Sequence, residues 1–250
     1  MKKIILSILI FSAYILSAYN PMSEFNKGVD FYTKEEYSKA AVVFDKLIEE
    51  GYKTFEVYYN LGNCYYREDK VALAILNYER AKKLEPNNED VDLNLKLANL
   101  KIVDKYDALP KLFIFEWYDA VRNLFNSCLW AKILISFVWI LSLLVAGLML
   151  FSNYTFRKYA VLGGIISIIA IVISGFMAYQ SNKSENSKEY AIVFSPSVYI
   201  KSSPDNNSAD LFILHEGTKV RILDELSDWC EIRIDNGNVG WLQKKNIVEI

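Results

Sequence analysis

Gly62 and Gly28 lie 34 residues apart, and so do Tyr65 and Phe31, Ala74 and Ala40, and Tyr78 and Phe44. A self-similar period of this length means a helical hairpin stacked on a copy of itself, because one such unit cannot bury its apolar face alone. The N-terminal part of the chain is thereby committed to a helical superhelix. Two further signals follow in order: two apolar runs of membrane length, then a segment whose periodicity changes to two.

With Phe55 taken as position 1, Tyr58, Leu61, Gly62, Tyr65, Ala74, Tyr78, Ala81 and Pro86 fall at positions 4, 7, 8, 11, 20, 24, 27 and 32. This resembles the tetratricopeptide pattern at all eight places, and the resemblance implies a superhelix that binds peptides rather than catalyses a reaction. Small Gly62 and Ala74 let the two helices of a unit approach, Tyr65 and Tyr78 fill the space beside them, and Pro86 ends the second helix after Glu85. The preceding unit starts near Pro21 and keeps Gly28, Phe31, Ala40 and Phe44, but departs from the pattern at Glu24, Lys27 and Tyr52. A third helix is predicted over residues 88–104, with Leu93, Leu95, Leu97, Leu100 and Ile102 as its apolar positions and Lys96 where the glycine would be. It reads as a cap. So few units require support from the segments that follow or from a partner.

In tetratricopeptide proteins, positions 2, 5, 9, 12 and 13 of the first helix line the concave face. The resemblance places Glu56, Tyr59, Asn63, Tyr66 and Arg67 there in the second unit, and Met22, Phe25, Val29, Tyr32 and Thr33 in the first. The candidate peptide groove is therefore Phe25, Tyr32, Glu56, Tyr59, Asn63, Tyr66 and Arg67. Asn63 offers a donor and an acceptor to a peptide backbone, and Arg67 can pair with a carboxylate. Tyr59 and Tyr66 have a second reading, simple packing between helices. The two-Lys, two-Asn clamp that some of these proteins use for C-terminal carboxylates is absent, and Val29 occupies a place where it needs Asn.

Several functions are excluded by composition. A net charge of -2 without a basic stripe argues against nucleic acid. Cys64, Cys128 and Cys230 lie in three different segments, so neither a disulfide framework nor a zinc knuckle is expected. His215 is the single histidine, and no nucleophile elbow, phosphate loop or paired-carboxylate motif accompanies it. The expectation is a non-enzyme without metal or cofactor. At the N-terminus, Lys2 and Lys3 precede an apolar run from Ile4 to Ala18, which reads as a signal peptide over residues 1–18, or as an uncleaved anchor.

Residues 109–127 are amphipathic, with Phe113, Trp117, Val121, Leu124 and Phe125 on one face and Glu116, Asp119, Asn123 and Asn126 on the other. This is either a helix lying on a bilayer or one covering the repeats. Residues 133–151 and 159–179 carry no charge and are long enough to cross a membrane. Arg157 and Lys158 sit in the short turn between them, which the positive-inside rule places in the cytoplasm. Both flanks then face the opposite side, as an exported N-terminus also requires. Small residues such as Ser136, Gly147, Gly163, Gly164 and Gly175 permit close helix packing, within the hairpin or against another membrane protein.

Residues 182–188 read as a polar linker. Beyond them Cys230, Ile232 and Ile234 alternate along one face of a strand, Asp235-Asn236-Gly237 makes a turn, and Gly240-Trp241-Leu242 opens the returning strand. The segment Val198-Tyr199-Ile200-Lys201-Ser202-Ser203-Pro204, with Gly217-Thr218-Lys219-Val220, Trp229 and Gly240-Trp241, resembles the bacterial SH3-type domain. That resemblance implies a small barrel that binds proteins or cell-wall peptides. Trp229 and Trp241 are the candidate groove residues, with burial in the core as the alternative, which is preferred.

The expected fold is a multi-domain membrane protein: an all-α tetratricopeptide superhelix, a two-helix transmembrane hairpin and a C-terminal all-β SH3-like barrel. The expected divisions are 1–18 signal peptide, 19–105 repeats and cap, 106–127 interfacial helix, 128–151 and 159–180 transmembrane helices around a turn at 152–158, 181–189 linker, and 190–250 barrel. This order, with Asp107-Ala108-Leu109-Pro110 leading into Trp117 and Leu211-Phe212-Ile213-Leu214-His215-Glu216-Gly217-Thr218-Lys219-Val220, resembles the BatE family, the tetratricopeptide component of the Bat aerotolerance operon. The resemblance implies an inner-membrane adaptor with both folded ends in the periplasm, associated with von Willebrand A-domain Bat proteins and a MoxR-type ATPase. The alternative is a cell-wall sensor or hydrolase helper whose barrel binds peptidoglycan.

Overall fold

The computed structural model describes residues 20–106 and 112–250. The signal peptide read over residues 1–18 and the Asp107-Ala108-Leu109-Pro110 motif lie outside the described residues. Five helices form the repeat region: α1 (Pro21–Thr33), α2 (Tyr37–Glu49), α3 (Phe55–Arg67), α4 (Val71–Leu84) and α5 (Glu89–Asn99). Asn20, Thr54 and Asn88 cap α1, α3 and α5 by accepting hydrogen bonds from first-turn amides, which satisfies backbone donors that have no intrahelical partner.

The 34-residue period is physically a repeated glycine-on-ring contact. A Cβ on Gly28 would stand 2.8 Å from the Phe44 ring, and one on Gly62 would stand 2.6 Å from the ring of Tyr78. Both rings are buried. The turns between paired helices repeat as well, since Glu35 and Asp69 adopt the left-handed conformation at φ 61 and φ 60. The units are joined by the Tyr65 hydroxyl, which donates to Asp45 at 2.6 Å. Helix α4 is buried on several sides, through Ala72, Ala74, Ile75, Leu76, Tyr78 and Ala81, because it is covered by more than its own unit. The capping helix ends at Asn99 rather than at residue 104, and the chain from there turns toward the β module.

Helix α6 (Phe113–Asn123) is followed by two helices long and apolar enough to cross a membrane, α7 (Ser127–Leu150) and α8 (Tyr154–Glu185). The turn between them is 151–153, so Arg157 and Lys158 belong to the start of α8. The buried residues of α8 are Ala160, Ser167, Ser174 and Ser181, a strict seven-residue spacing. Small side chains at that spacing form the seam against α7, where Gly163 and Gly175 approach Leu144 and Leu134. Gly147, Gly163, Gly164 and Gly175 thus lie within the hairpin, whereas Ser136 and Ser142 face outward with many of the apolar side chains.

Helix α8 continues through Glu185, so residues 182–185 of the segment read as a linker are helical. The local reason is the Glu185 carboxylate, which accepts from the Ser127 amide at 2.8 Å and the Ser127 hydroxyl at 2.5 Å. An acidic group at the N-terminus of α7 also meets the positive end of that helix.

The C-terminal module is a seven-stranded antiparallel sheet in the order β3-β2-β6-β5-β4-β1-β7. Its strands are β1 (Tyr190–Val193), β2 (Ser197–Lys201), β3 (Asp210–His215), β4 (Lys219–Leu226), β5 (Trp229–Arg233), β6 (Val239–Gln243) and β7 (Ile247–Glu249). Its core is Ala191, Val193, Ile200, Leu214, Val220, Cys230, Ile232, Ile234 and Leu242. Gly237, at φ 91, makes the turn into β6 that the Asp-Asn-Gly sequence predicts. Ile192 points the other way, into the cluster formed by Ile75, Val91, Leu95 and Ala98, with Phe194 and Ile250 packed on it. One core thus runs from the repeats into the β module.

Gly62→Ala should destabilise the repeats by about 1–3 kcal/mol, because the buried Tyr78 ring has no room to retreat. Thermal unfolding of the full chain in mild detergent, followed by circular dichroism, tests this. An unchanged midpoint would mean that the ring moves aside.

Candidate binding surfaces

The seven residues assigned to the repeat groove divide into two groups. Tyr59 stacks on Phe55 (ring centroids 5.7 Å apart) and leans on Tyr78 (6.1 Å). The Asn63 side-chain oxygen accepts from the Tyr78 hydroxyl at 2.8 Å and from Asn94 Nδ2 at 2.9 Å, and Asn94 also donates to the Tyr59 hydroxyl at 3.1 Å. Asn63 therefore does not offer both donor and acceptor to a peptide, since its acceptor joins α3 to α4 and to the capping helix. Phe25 packs edge-on against Phe44 at 5.6 Å. These three are interior contacts of the stack.

Tyr66, Arg67, Tyr32 and Glu56 are the part of the set open to a ligand. Lys101 sits 4.4 Å above the Tyr66 ring and pairs with Asp69 at 2.7 Å. Arg67 is exposed, lies 6.0 Å from the Tyr37 ring, and is hydrogen-bonded to Tyr32, a contact that raises its already high pKa. Glu56 is exposed on the first turn of α3. The part left open is thus a basic and aromatic strip with one acidic end, without the amide of Asn63 that the pattern placed in it.

In the β module, Trp229 and Trp241 are only half-buried, so the preferred reading of them as core residues is corrected. The alternation along β5 and β6 gives the interior to Cys230, Ile232, Gly240 and Leu242, and a Cβ on Gly240 would collide with Ile200. Trp241 stands opposite Glu231 and Trp229 opposite Gln243, so the two indoles are diagonal neighbours on one outer face. Tyr199 and Lys201 extend that face on β2. Burial pushes the inward Cys230 thiol up to about 11 and the Cys64 thiol up to about 12, which makes both poor nucleophiles at neutral pH.

Sequence reasoning missed the joint between the two modules. Asp104 is half-buried as a residue with its side chain covered, and its carboxylate accepts three hydrogen bonds from the β3–β4 turn: the His215 amide (2.7 Å), the His215 ring Nδ1 (2.8 Å) and the Thr218 hydroxyl (2.7 Å). Burial acts to raise this carboxyl, but the bonds from Thr218 and His215 outweigh it and hold the pKa below the usual aspartate value. Around it, Lys219 pairs with Glu79 at 2.7 Å, Arg80 donates to the Glu249 carbonyl at 3.0 Å, and Gly217, at φ 86, lets its backbone lie against Ile102. Asp104 was read only as the end of a helix, and no periodicity marks it. A cleft of about 820 Å³ opens beside this joint, between α4, α6, the end of α8 and β4.

Compared with known proteins, residues 196–248 match the bacterial SH3 domain and residues 55–88 match the tetratricopeptide repeat. No curated protein matches the chain. The chain therefore carries two module types whose usual work is binding proteins or peptidoglycan.

The sign of the Asp104 shift fixes a pH dependence. A depressed carboxyl pKa contributes stability that is complete above the unfolded value of about 3.9 and is lost as pH falls through the lower folded value. Asp104→Asn should therefore cost about 2–3 kcal/mol at neutral pH, and the gap to the wild type should close in acid below about pH 4. Urea unfolding of both proteins across that range tests it. A gap that persists unchanged in strong acid would show that the carboxylate charge is not what holds the joint.

Proposed function

We propose that the chain is a non-catalytic adaptor of the inner membrane, anchored by the α7–α8 hairpin, with the repeats and the β module presented together in the periplasm. The observation that carries this reading is the shared core and the Asp104 clasp, which hold two binding modules as one body at the end of the hairpin. A fixed spacing between two binding surfaces raises the effective concentration of each ligand for the other. In this reading the chain works in a Bat-type envelope complex, with von Willebrand A-domain membrane proteins as partners, as its resemblance to the BatE family implies. Arg157 and Lys158 near the short turn support a cytoplasmic hairpin tip.

A mild-detergent pull-down of the tagged full chain from its own membranes, read by mass spectrometry, tests the partner. Glu56→Ala with Arg67→Ala should weaken capture at least fivefold without lowering the unfolding midpoint, because both side chains are exposed. Asn63 is not used, since its loss would break bonds within the stack. Undiminished capture by the double variant would remove the groove from the mechanism. Topology is tested with an impermeant maleimide on a Cys128→Ser background. Lys245→Cys should label in intact spheroplasts and Thr155→Cys only after lysis; the reverse pattern would invert the protein in the membrane.

One observation favours a second reading, peptidoglycan binding, namely the outward Trp229 and Trp241 face. Pelleting of the full chain with purified cell wall, compared with the Trp229→Ala, Trp241→Ala double variant, separates the two. Pelleting that depends on the tryptophans would move the function to the β module.

A further inference from the structure

The cleft beside the joint has an unusual pairing of walls. On one side, α6 exposes Phe113 (77%), Ile114 (58%), Phe115 (58%) and Trp117 (69%), with no residue of the helix buried. This helix touches the repeats at its C-terminal end, where Asn87 donates to the Asn123 carbonyl at 2.6 Å. Gln180 of α8 donates to the Tyr118 hydroxyl at 2.9 Å, and the Trp130 indole of α7 donates to the Arg122 carbonyl at 3.1 Å. These bonds fasten α6 to the same end of the hairpin as the folded modules, with an apolar surface left uncovered, as on helices that lie on a bilayer. From that wall Leu112 and Phe115 form an apolar lip of the cleft.

The interior of the cleft is cationic. Its three acidic side chains are each matched: Glu79 by Lys219 (2.7 Å), Asp119 by Arg122 (3.2 Å) and Glu189 by Arg221 (3.7 Å). Lys82 reaches out to Asp92 at 2.5 Å. Lys183 has no carboxylate partner among the described residues, while Lys83 is held by main-chain oxygens and feels Glu79 and Glu189. The Lys83 ammonium is held by main-chain oxygens of Ser187 (2.5 Å) and Ile250 (2.9 Å), and burial lowers its pKa, with Lys219 and Arg80 adding like-charge repulsion. An anion entering the cleft would relieve both effects.

We propose that this cleft binds the phosphate headgroup of an anionic phospholipid, with Lys183 and Lys83 facing the phosphate and Leu112 and Phe115 meeting the start of the acyl chains. The inference rests on the membrane-anchored reading above. A soluble phosphate compound would use the same cations but has no use for the apolar lip, or for a site placed where α6 meets the bilayer surface. The lip commits the site to a lipid.

The test is native mass spectrometry of the full chain in mild detergent, titrated with phosphatidylglycerol or with phosphatidylcholine of the same acyl chains. One phosphatidylglycerol should be retained at least tenfold more tightly than phosphatidylcholine. Lys183→Gln should weaken phosphatidylglycerol about fivefold, Lys183→Arg should restore it, and Lys245→Gln, outside the cleft, should change nothing. Lys83 is left intact because it holds two backbone carbonyls. Equal retention of the two lipids, or an unaltered Lys183→Gln variant, overturns the proposal. Displacement of phosphatidylglycerol by millimolar inorganic phosphate overturns the lipid as the source. Alkaline carbonate washing of native membranes is read separately. Release of the protein would sink the membrane reading and this proposal together, whereas a retained protein without lipid preference sinks the cleft alone.

Discussion

Helix α4 belongs to the second repeat unit, yet it is buried on the side that a longer stack would have covered with more repeats. Here α5 covers part of that side and β1 covers the rest, with Ile192 inserted between Ile75, Val91 and Ala98. Such a joint has to be held at a defined angle, because a hydrophobic contact alone tolerates sliding. Asp104 supplies the direction. A buried carboxylate with three short donors has few other arrangements that satisfy it, and an unsatisfied one would cost several kcal/mol. The placement of the β module, of the cleft and of both candidate faces follows from this clasp.

The consequence for binding is that neither module behaves as a bead on a flexible string. The concave strip around Tyr32, Tyr66 and Arg67 and the outer face bearing Trp229 and Trp241 have a fixed separation. A partner that touches both loses less freedom at the second contact than it would with a mobile linker. The same rigidity means that the modules cannot rearrange to accommodate a partner of the wrong shape.

The sequence revealed what is periodic. The 34-residue repeat predicts Gly62 against Tyr78, the Cys230–Ile234 alternation predicts the inner face of β5, and the uncharged runs predict α7 and α8. It could not reveal what depends on side chains far apart in sequence. Asp104 is 111 residues from His215, and Asn94 reaches Asn63 across 31. A position-by-position pattern assigns Asn63 to the ligand because it sees the concave face but not the helix that lies on it. The tryptophans were misjudged for a related reason: a large aromatic side chain suggests a core, whereas strand parity, which was available in the sequence, puts both on the side opposite Cys230 and Leu242.

The last turns of α8 set the repeats and the β module relative to the hairpin. With 24 residues, α7 extends about 36 Å, and with 32 residues α8 extends about 48 Å, against a bilayer core of roughly 30 Å. The two share a short turn at one end, and at the other the last turn of α8 lies beside the first turn of α7. There Glu185 returns to cap Ser127, Gln180 holds Tyr118, and the backbone of Ser187 receives Lys83 from α4. The last turns of α8 and the residues after it are thus bonded to α7, to α6 and to the repeats within a few residues. A flexible linker in their place would leave the modules free to drift from the hairpin, and the cleft, whose walls come from all of these elements, would not exist.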